Sequence, residues 1–171
     1  KLFVALFGKK NNNNISINLI GKNSNINMSL ITLSNNGNST YNTLVNHINN
    51  NTNSIINNSA LLTNKSKVLM NIKSNINNGT INSNSKQSIE GIILDKDSKI
   101  EMIPTLFIDE NEVFANHSSK ISKINDNDLY YIMTKGISKE DANKMYANNF
   151  LLKHAPLEKI KDLKKLIERL I

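Results

Sequence analysis

Ile15-Ser16-Ile17-Asn18-Leu19-Ile20, Ile26-Asn27-Met28-Ser29-Leu30-Ile31-Thr32-Leu33 and Val68-Leu69-Met70-Asn71-Ile72 set apolar and polar residues in alternation, with Asn, Ser and Gly between the runs. A period of two sends successive side chains to opposite faces, so each run reads as a half-buried strand. Ile92-Ile93-Leu94, Lys99-Ile100-Glu101-Met102-Ile103 and Thr105-Leu106-Phe107-Ile108 extend the series. No helix-length amphipathic stretch interrupts it between Ile15 and about Asn116, which argues against a doubly wound α/β fold. Recurring strands with polar corners suit either a sandwich or a parallel β-solenoid. Asn tips the balance to the solenoid, because its side chain tolerates left-handed backbone and bonds neighbouring backbone at corners. Of the two Asn tracts, Asn49 to Asn53 and Asn11 to Asn14, the latter reads as a composition-biased loop insert.

Near Ile121 the texture changes, dividing the chain into a β region over 1–120 and a helical region over 121–171. Asn125 is placed to cap a first helix with Asp128 at its third position; Leu129, Ile132 and Met133 share a face, and Gly136 is placed to end it. Ser138-Lys139-Glu140-Asp141 resembles a capping box opening a second helix, with Ala142, Met145 and Tyr146 on one side and an end near Asn149. A third runs from Pro156 to Ile171 with Leu157, Ile160, Leu163, Ile167 and Leu170 on one stripe, which predicts packing against the β body.

At 171 residues and 19.2 kDa the chain has the length of one domain, or of a domain plus an appendage. Lys1 stands where an initiator Met would, and leads directly into the apolar run Leu2-Phe3-Val4-Ala5-Leu6-Phe7; this start reads as a cut through a larger fold. The run is far short of the roughly 20 residues that cross a bilayer, and no later apolar stretch is longer. The polar tract Gly8-Lys9-Lys10-Asn11 also interrupts it too soon for a signal peptide. Cys is absent, which removes disulfides, thiolate nucleophiles and thiolate ligation of zinc or an iron-sulfur cluster from this chain's own chemistry. The net charge of +7 is diffuse and comes almost entirely from Lys; Arg169 is the sole arginine and aromatics make up 5%. Bidentate base readout and stacking platforms both lack material, so a solvated Lys-rich surface is the expectation and neither nucleic acid nor membrane a partner.

Residues that carry chemistry are few. His47, His117 and His154 are too far apart for a local metal pattern, and no His-Glu-x-x-His, Gly-x-Ser-x-Gly, P-loop or dinucleotide fingerprint occurs. His47, within Leu44-Val45-Asn46-His47, suits a hydrogen-bonded corner; His154 suits the surface; His117 falls where the strands hand over to the helices. Nothing reads as a self-contained enzyme.

The run from Val113 through Asn116-His117-Ser118-Ser119 to Asp126-Asn127-Asp128-Leu129-Tyr130-Tyr131-Ile132-Met133-Thr134-Lys135-Gly136-Ile137 resembles the signature of the SufB/SufD family of iron-sulfur cluster assembly scaffolds. There a His precedes a short Ser/Thr/Gly stretch, an acidic turn, a Leu-Phe-Tyr-Leu-like step and an Arg-Gly-Ile-like close. Asn149-Phe150-Leu151 resembles a family Gly-Phe step, and Leu44-Val45-Asn46-His47 with Thr52 and Ser54 resembles its Val-Asp-His run. Gln87 leading to Ile92-Ile93-Leu94, and Pro104-Thr105-Leu106-Phe107-Ile108, are similar to later rungs. The departures are Lys135 for Arg, Asn46 for Asp, Ser118 where a SufB-type member carries Glu, and Ile89 and Glu90 where it carries Cys. The last two point to the SufD type, a SufB-type subunit that has lost its Cys being the alternative.

The resemblance implies a right-handed parallel β-helix followed by a helical domain, in a non-catalytic subunit that pairs with a SufB-like subunit and docks the ABC-type ATPase SufC. It implies that His117 is a ligand or proton-handling group for nascent iron-sulfur cluster at the SufB interface, imidazole being suited to iron. The partner contacts it implies are Leu129, Tyr130, Tyr131, Lys135, Gly136 and Phe150. With an Asn- and Lys-rich composition of AT-rich type, it also implies a plastid-type organelle, the apicoplast, or else a bacterial cytoplasm. Two other classes compete: a helix-turn-helix DNA-binding module around Gly136, whose second helix would put Glu140 and Asp141 against phosphate, and a β-solenoid adhesin without a metal role.

Overall fold

The computed structural model describes residues 1–124 and 126–171. The alternating runs are strands: β1 (Leu2–Gly8), β2 (Asn12–Leu19), β3 (Asn25–Asn35), β4 (Asn38–His47), β5 (Asn53–Thr63), β6 (Lys67–Ile76), β7 (Ser83–Ile93), β8 (Lys99–Ile108) and β9 (Val113–Lys123). They sort into two sheets, β1-β3-β5-β7-β9 and β2-β4-β6-β8, and each pairing is parallel. Each turn of chain therefore lays one strand in each sheet, on top of the strand two before it. This is a parallel β-solenoid, and register aligns residues into columns such as Leu2, Met28, Ile56, Gln87 and His117.

The inner faces of the two sheets meet in one core, built on Met28, Leu30, Tyr41, Val45, Ile56, Leu62, Met70, Ile72 and Ile89. The odd-numbered sheet is also covered outside. Ile31, Leu33 and Leu61 pack there against Ala147, Leu151, Leu163 and Ile167 of the helices. That is why Leu30-Ile31-Thr32-Leu33 and Ala60-Leu61-Leu62 are buried without alternation: both faces of these strand ends are covered. Each fully buried Leu or Ile contributes about 1.5–3 kcal/mol, so this second core is what holds the helical region on the solenoid.

Left-handed Asn residues make the corners. Asn23, Asn36, Asn51, Asn64 and Asn82 all have φ between 54° and 65°. They stack as the strands do: the Asn51 N–H donates to the Ile81 carbonyl at 3.0 Å and that of Asn82 to the Glu112 carbonyl at 2.7 Å. At one corner Gly is obligatory for another reason, since a Cβ on Gly37 would lie 1.2 Å from the Lys9 carbonyl oxygen.

The first Asn tract is not a loop insert: Asn12, Asn13 and Asn14 begin β2. On the outer face of the even-numbered sheet, Asn42 donates to Asn14 and Asn71 to Asn42, both at 2.7 Å; Asn46 donates to Asn18 at 2.8 Å and Asn75 to Asn46 at 2.7 Å. Amide ladders between stacked rungs replace the β-propensity that Asn lacks.

The helices are α1 (Asp126–Thr134), α2 (Lys139–Leu152) and α3 (Ile160–Leu170), the last preceded by a single 3₁₀ turn (Leu157–Lys159). Ser138 caps α2, accepting from the Asp141 N–H at 3.0 Å. Gly136, at φ 84°, lies beyond the end of α1, its N–H donating to the Met133 carbonyl at 3.0 Å. The expected cap at Asn125 lies outside the described residues. Two expectations are corrected. α2 runs on to Leu152 rather than ending near Asn149, because Ala147, Phe150 and Leu151 pack on the sheet; its buried face is Ala142, Ala147 and Leu151, and Met145 is exposed. Leu157 sits in the 3₁₀ turn at 85% exposure, off the buried stripe of Leu163 and Ile167.

Candidate functional site at the open end of the solenoid

β8 and β9 end their sheets, so among the described residues one edge of each pairs with no further strand. His117 lies in the middle of β9 rather than at the hand-over to the helices, and it is exposed. Its register partner on β7 is Gln87, and in-register residues of a parallel pair share a face. That face is the interior: Ile89, next along it, belongs to the core, and Ser119, paired with Ile89, places its hydroxyl 3.5 Å from the Sδ of Met102, which packs against that core. His117 thus stands on the rim of the open end, crowning the column of Leu2, Met28, Ile56 and Gln87.

Gln87 is 1% exposed. Its Nε2 donates to Ser74 Oγ at 2.8 Å and to the Thr105 carbonyl at 3.1 Å, across the interior, while its Oε1 is buried without a partner. Among the described residues no group of three or more His, Cys, Asp or Glu is arranged to hold a metal ion.

His47 is a corner residue, as the sequence suggests. It is fully buried, with Nδ1 2.8 Å from Thr52 Oγ1 and Nε2 2.9 Å from Ser54 Oγ, and both hydroxyls continue to the next rung at Ser83 and Ser85. Burial lowers its pKa from the ordinary imidazole value to about 4, so the ring is neutral. His154 is half-buried rather than on the open surface, in a groove with Phe3, Asn27 and Pro156; burial and then Lys153 lower its pKa.

The family described as SUF system FeS cluster assembly, SufBD core domain, matches residues 2–150. The chain belongs to the SufB/SufD family. It is 32% identical over 98 residues to the iron-sulfur cluster assembly protein SufD of Bacillus subtilis, covering 55% of this chain and 22% of that protein. It is 31% identical over 114 residues to an iron-sulfur cluster assembly SufBD family protein of Pyrococcus horikoshii, covering 61% of this chain and 26% of the relative. A SufBD family protein of Mycobacterium tuberculosis is 29% identical over 96 residues, 54% of this chain and 11% of the relative. The matches thus span between about a tenth and a quarter of these relatives.

Of the helical residues that the SufB/SufD resemblance singles out, Tyr130 and Tyr131 are 71% and 64% exposed and Lys135 lies over the Tyr131 ring, 5.3 Å from its centroid. Leu129 is turned inward at 7% exposure, and Phe150 packs against the second core with Lys153 over its ring at 5.1 Å. Lys153 also forms an ion pair with Glu90 of β7. These residues split into an exposed aromatic pair with Lys135 beside it, a buried Leu129, and Phe150 against the sheet. His117 and the Tyr pair belong to separate elements, the rim strand and α1. α2, the reader in the DNA-binding alternative, packs Ala147 and Leu151 against the sheet and carries Glu140 and Asp141 exposed in its first turn, where they would repel phosphate. What sequence reading missed was the depth of Gln87: a long amide at an inward position, in register with the rim His, was its only signal.

Proposed function

We propose that this chain is the scaffold part of a SufD-like, non-catalytic subunit of an iron-sulfur cluster assembly complex. Its β8/β9 rim pairs with a SufB-like subunit, and its helical region docks a SufC-like ABC-type ATPase. The observation that carries this reading is His117 on an exposed solenoid rim beside unpaired strand edges, in a chain without Cys. A partner solenoid can extend such edges by backbone pairing and supply the ligands His117 lacks. Nascent cluster is cargo here: imidazole contributes one nitrogen ligand, and thiolates come from the partner. The SufD assignment is supported by Ile89, Glu90 and Ser118 standing where a SufB-type member has Cys and Glu, and by the similarity to the Bacillus SufD. The exposed Tyr130 and Tyr131 on α1 suit an ATPase-docking face, aromatic side chains being frequent anchors of interfaces.

The test is co-purification of the full-length protein containing this chain with SufB-like and SufC-like subunits of the same source, followed by ATPase and cluster-reconstitution assays. A stable complex that builds clusters supports the scaffold reading. No association with either partner removes it. Within a functional complex, His117→Ala that leaves the yield of assembled cluster unchanged removes the ligand role alone.

A further inference from the structure

We propose that Gln87 is a positioning residue for His117: its buried carbonyl oxygen accepts a hydrogen bond from one ring N–H and so leaves the lone pair of the other nitrogen pointing out of the solenoid's open end. The inference rests on the reading of His117 as a ligand, and it adds a residue that this reading does not use.

The amide of Gln87 has only one chemically sensible orientation. Thr105 offers a backbone carbonyl, which only accepts, at 3.1 Å, so the nitrogen must face it; a flipped amide would set two acceptors against each other. Ser74 takes the second N–H at 2.8 Å. Both donors of the amide are therefore spent on the opposite sheet, and Oε1 is the surplus: an acceptor buried without a partner in the described structure. A buried acceptor in that state costs about 1–3 kcal/mol, and such groups are nearly always satisfied. The rung above supplies few donors. On β9 the interior face carries Val113, Ala115, His117, Ser119 and Ile121, and of these only His117 and Ser119 have side-chain donors; the Ser119 hydroxyl is turned to Met102. His117 is in register with Gln87, on a strand about 4.8 Å away, and it is exposed and unpacked above, so its ring is free to settle onto the amide.

The consequence is chemical. A neutral imidazole ligates through the nitrogen without the proton, and the hydrogen bond made by the other nitrogen decides which one that is. An acceptor that cannot reorient, held in place by Ser74 and Thr105, selects one tautomer before any metal arrives.

The experiment is a two-bond proton–nitrogen correlation spectrum of ¹⁵N-histidine-labelled protein, at a pH where free imidazole is neutral, comparing wild type with Gln87→Leu, Gln87→Met and Gln87→Glu. A hydrogen bond of ordinary net strength shifts a two-state ratio by roughly five- to tenfold. We expect the His117 tautomer ratio to be biased by that factor in the wild type and to relax to that of free imidazole in Gln87→Leu and Gln87→Met, which remove the acceptor while keeping a side chain of similar size. Gln87→Glu, whose protonated carboxyl donates to the Thr105 carbonyl and keeps an acceptor, restores the bias. An unchanged ratio in both the Leu and Met variants overturns the proposal and leaves the ligand role of His117 standing. A relaxed ratio together with normal cluster assembly by His117→Ala retains the proposal and removes the ligand role.

Discussion

The two ring nitrogens of His47 are each held by a hydroxyl, Thr52 Oγ1 at 2.8 Å from Nδ1 and Ser54 Oγ at 2.9 Å from Nε2, and neither partner carries a charge. Protonation inside this network has no counter-ion, and burial lowers the pKa to about 4. In the unfolded chain the same group titrates near 6.5. Between those values the unfolded state binds more protons, so stability falls as pH drops through this window and is unaffected above it. The expected loss between pH 7 and pH 4 is on the order of 2–3 kcal/mol from this residue. Urea titrations at pH 7, 5.5 and 4.5 measure it, with His47→Gln as the reference that cannot titrate. A wild-type curve that tracks the variant's in its pH dependence would show that folding leaves the pKa of His47 unchanged.

Asn42 sits in the middle of an amide ladder, donating to Asn14 and accepting from Asn71, whereas Asn14 makes only one such bond. On a solvated face each bond contributes at the low end of the ordinary range, about 0.5–1 kcal/mol. Asn42→Ala is therefore expected to cost about 1–2 kcal/mol and Asn14→Ala about half as much, measured as the shift in denaturant midpoint at constant slope. Equal effects of the two would mean that the ladder contributes nothing beyond single-residue propensity.

Leu151 of α2 is fully buried against Ile31, Leu33 and Leu61, and it joins the helical region to the solenoid. Leu151→Ala is expected to cost about 2–4 kcal/mol through lost burial and the cavity left behind. Because the solenoid has a separate core, the damage should be local. Hydrogen exchange should rise across α1 to α3 and remain slow in β4 to β6. Uniform loss of protection in the strands would contradict two separable cores.

The strands were legible because the solenoid interior imposes a strict period of two, and its Asn corners because left-handed backbone admits few other residues. The first Asn tract was misread because nothing local makes Asn12, Asn13 and Asn14 a strand; their partners Thr40, Tyr41 and Asn42 come a full turn later in the chain. The end of α2 was misplaced for the same kind of reason, as Phe150 and Leu151 are held helical by Ile31, Leu33 and Leu61, which lie in strands far earlier in the chain. His117 was legible through a motif, not through geometry. Its place on the rim depends on β9 being the last strand of its sheet, which no window of sequence around residue 117 contains.

Asn58 stands on the inner face of β5, between Leu30 of β3 and Ile89 of β7, at 1% exposure, and neither its Nδ2 nor its Oδ1 has a partner. Two stranded amide atoms in an apolar column are a standing cost, because water solvates them in the unfolded chain and nothing replaces it on folding. Leu branches at Cγ as Asn does and adds apolar contact, so Asn58→Leu is expected to stabilise the protein by about 1–3 kcal/mol, read as a higher denaturant midpoint. The extra volume of two methyl groups works against this gain, and Asn58→Val, which is smaller than Leu, separates the two effects. If Leu destabilises and Val stabilises, the column is tightly packed and the amide is indeed unpaired. If both destabilise by more than about 1 kcal/mol, the amide has a partner inside the solenoid, and the interior at this rung is hydrated rather than dry.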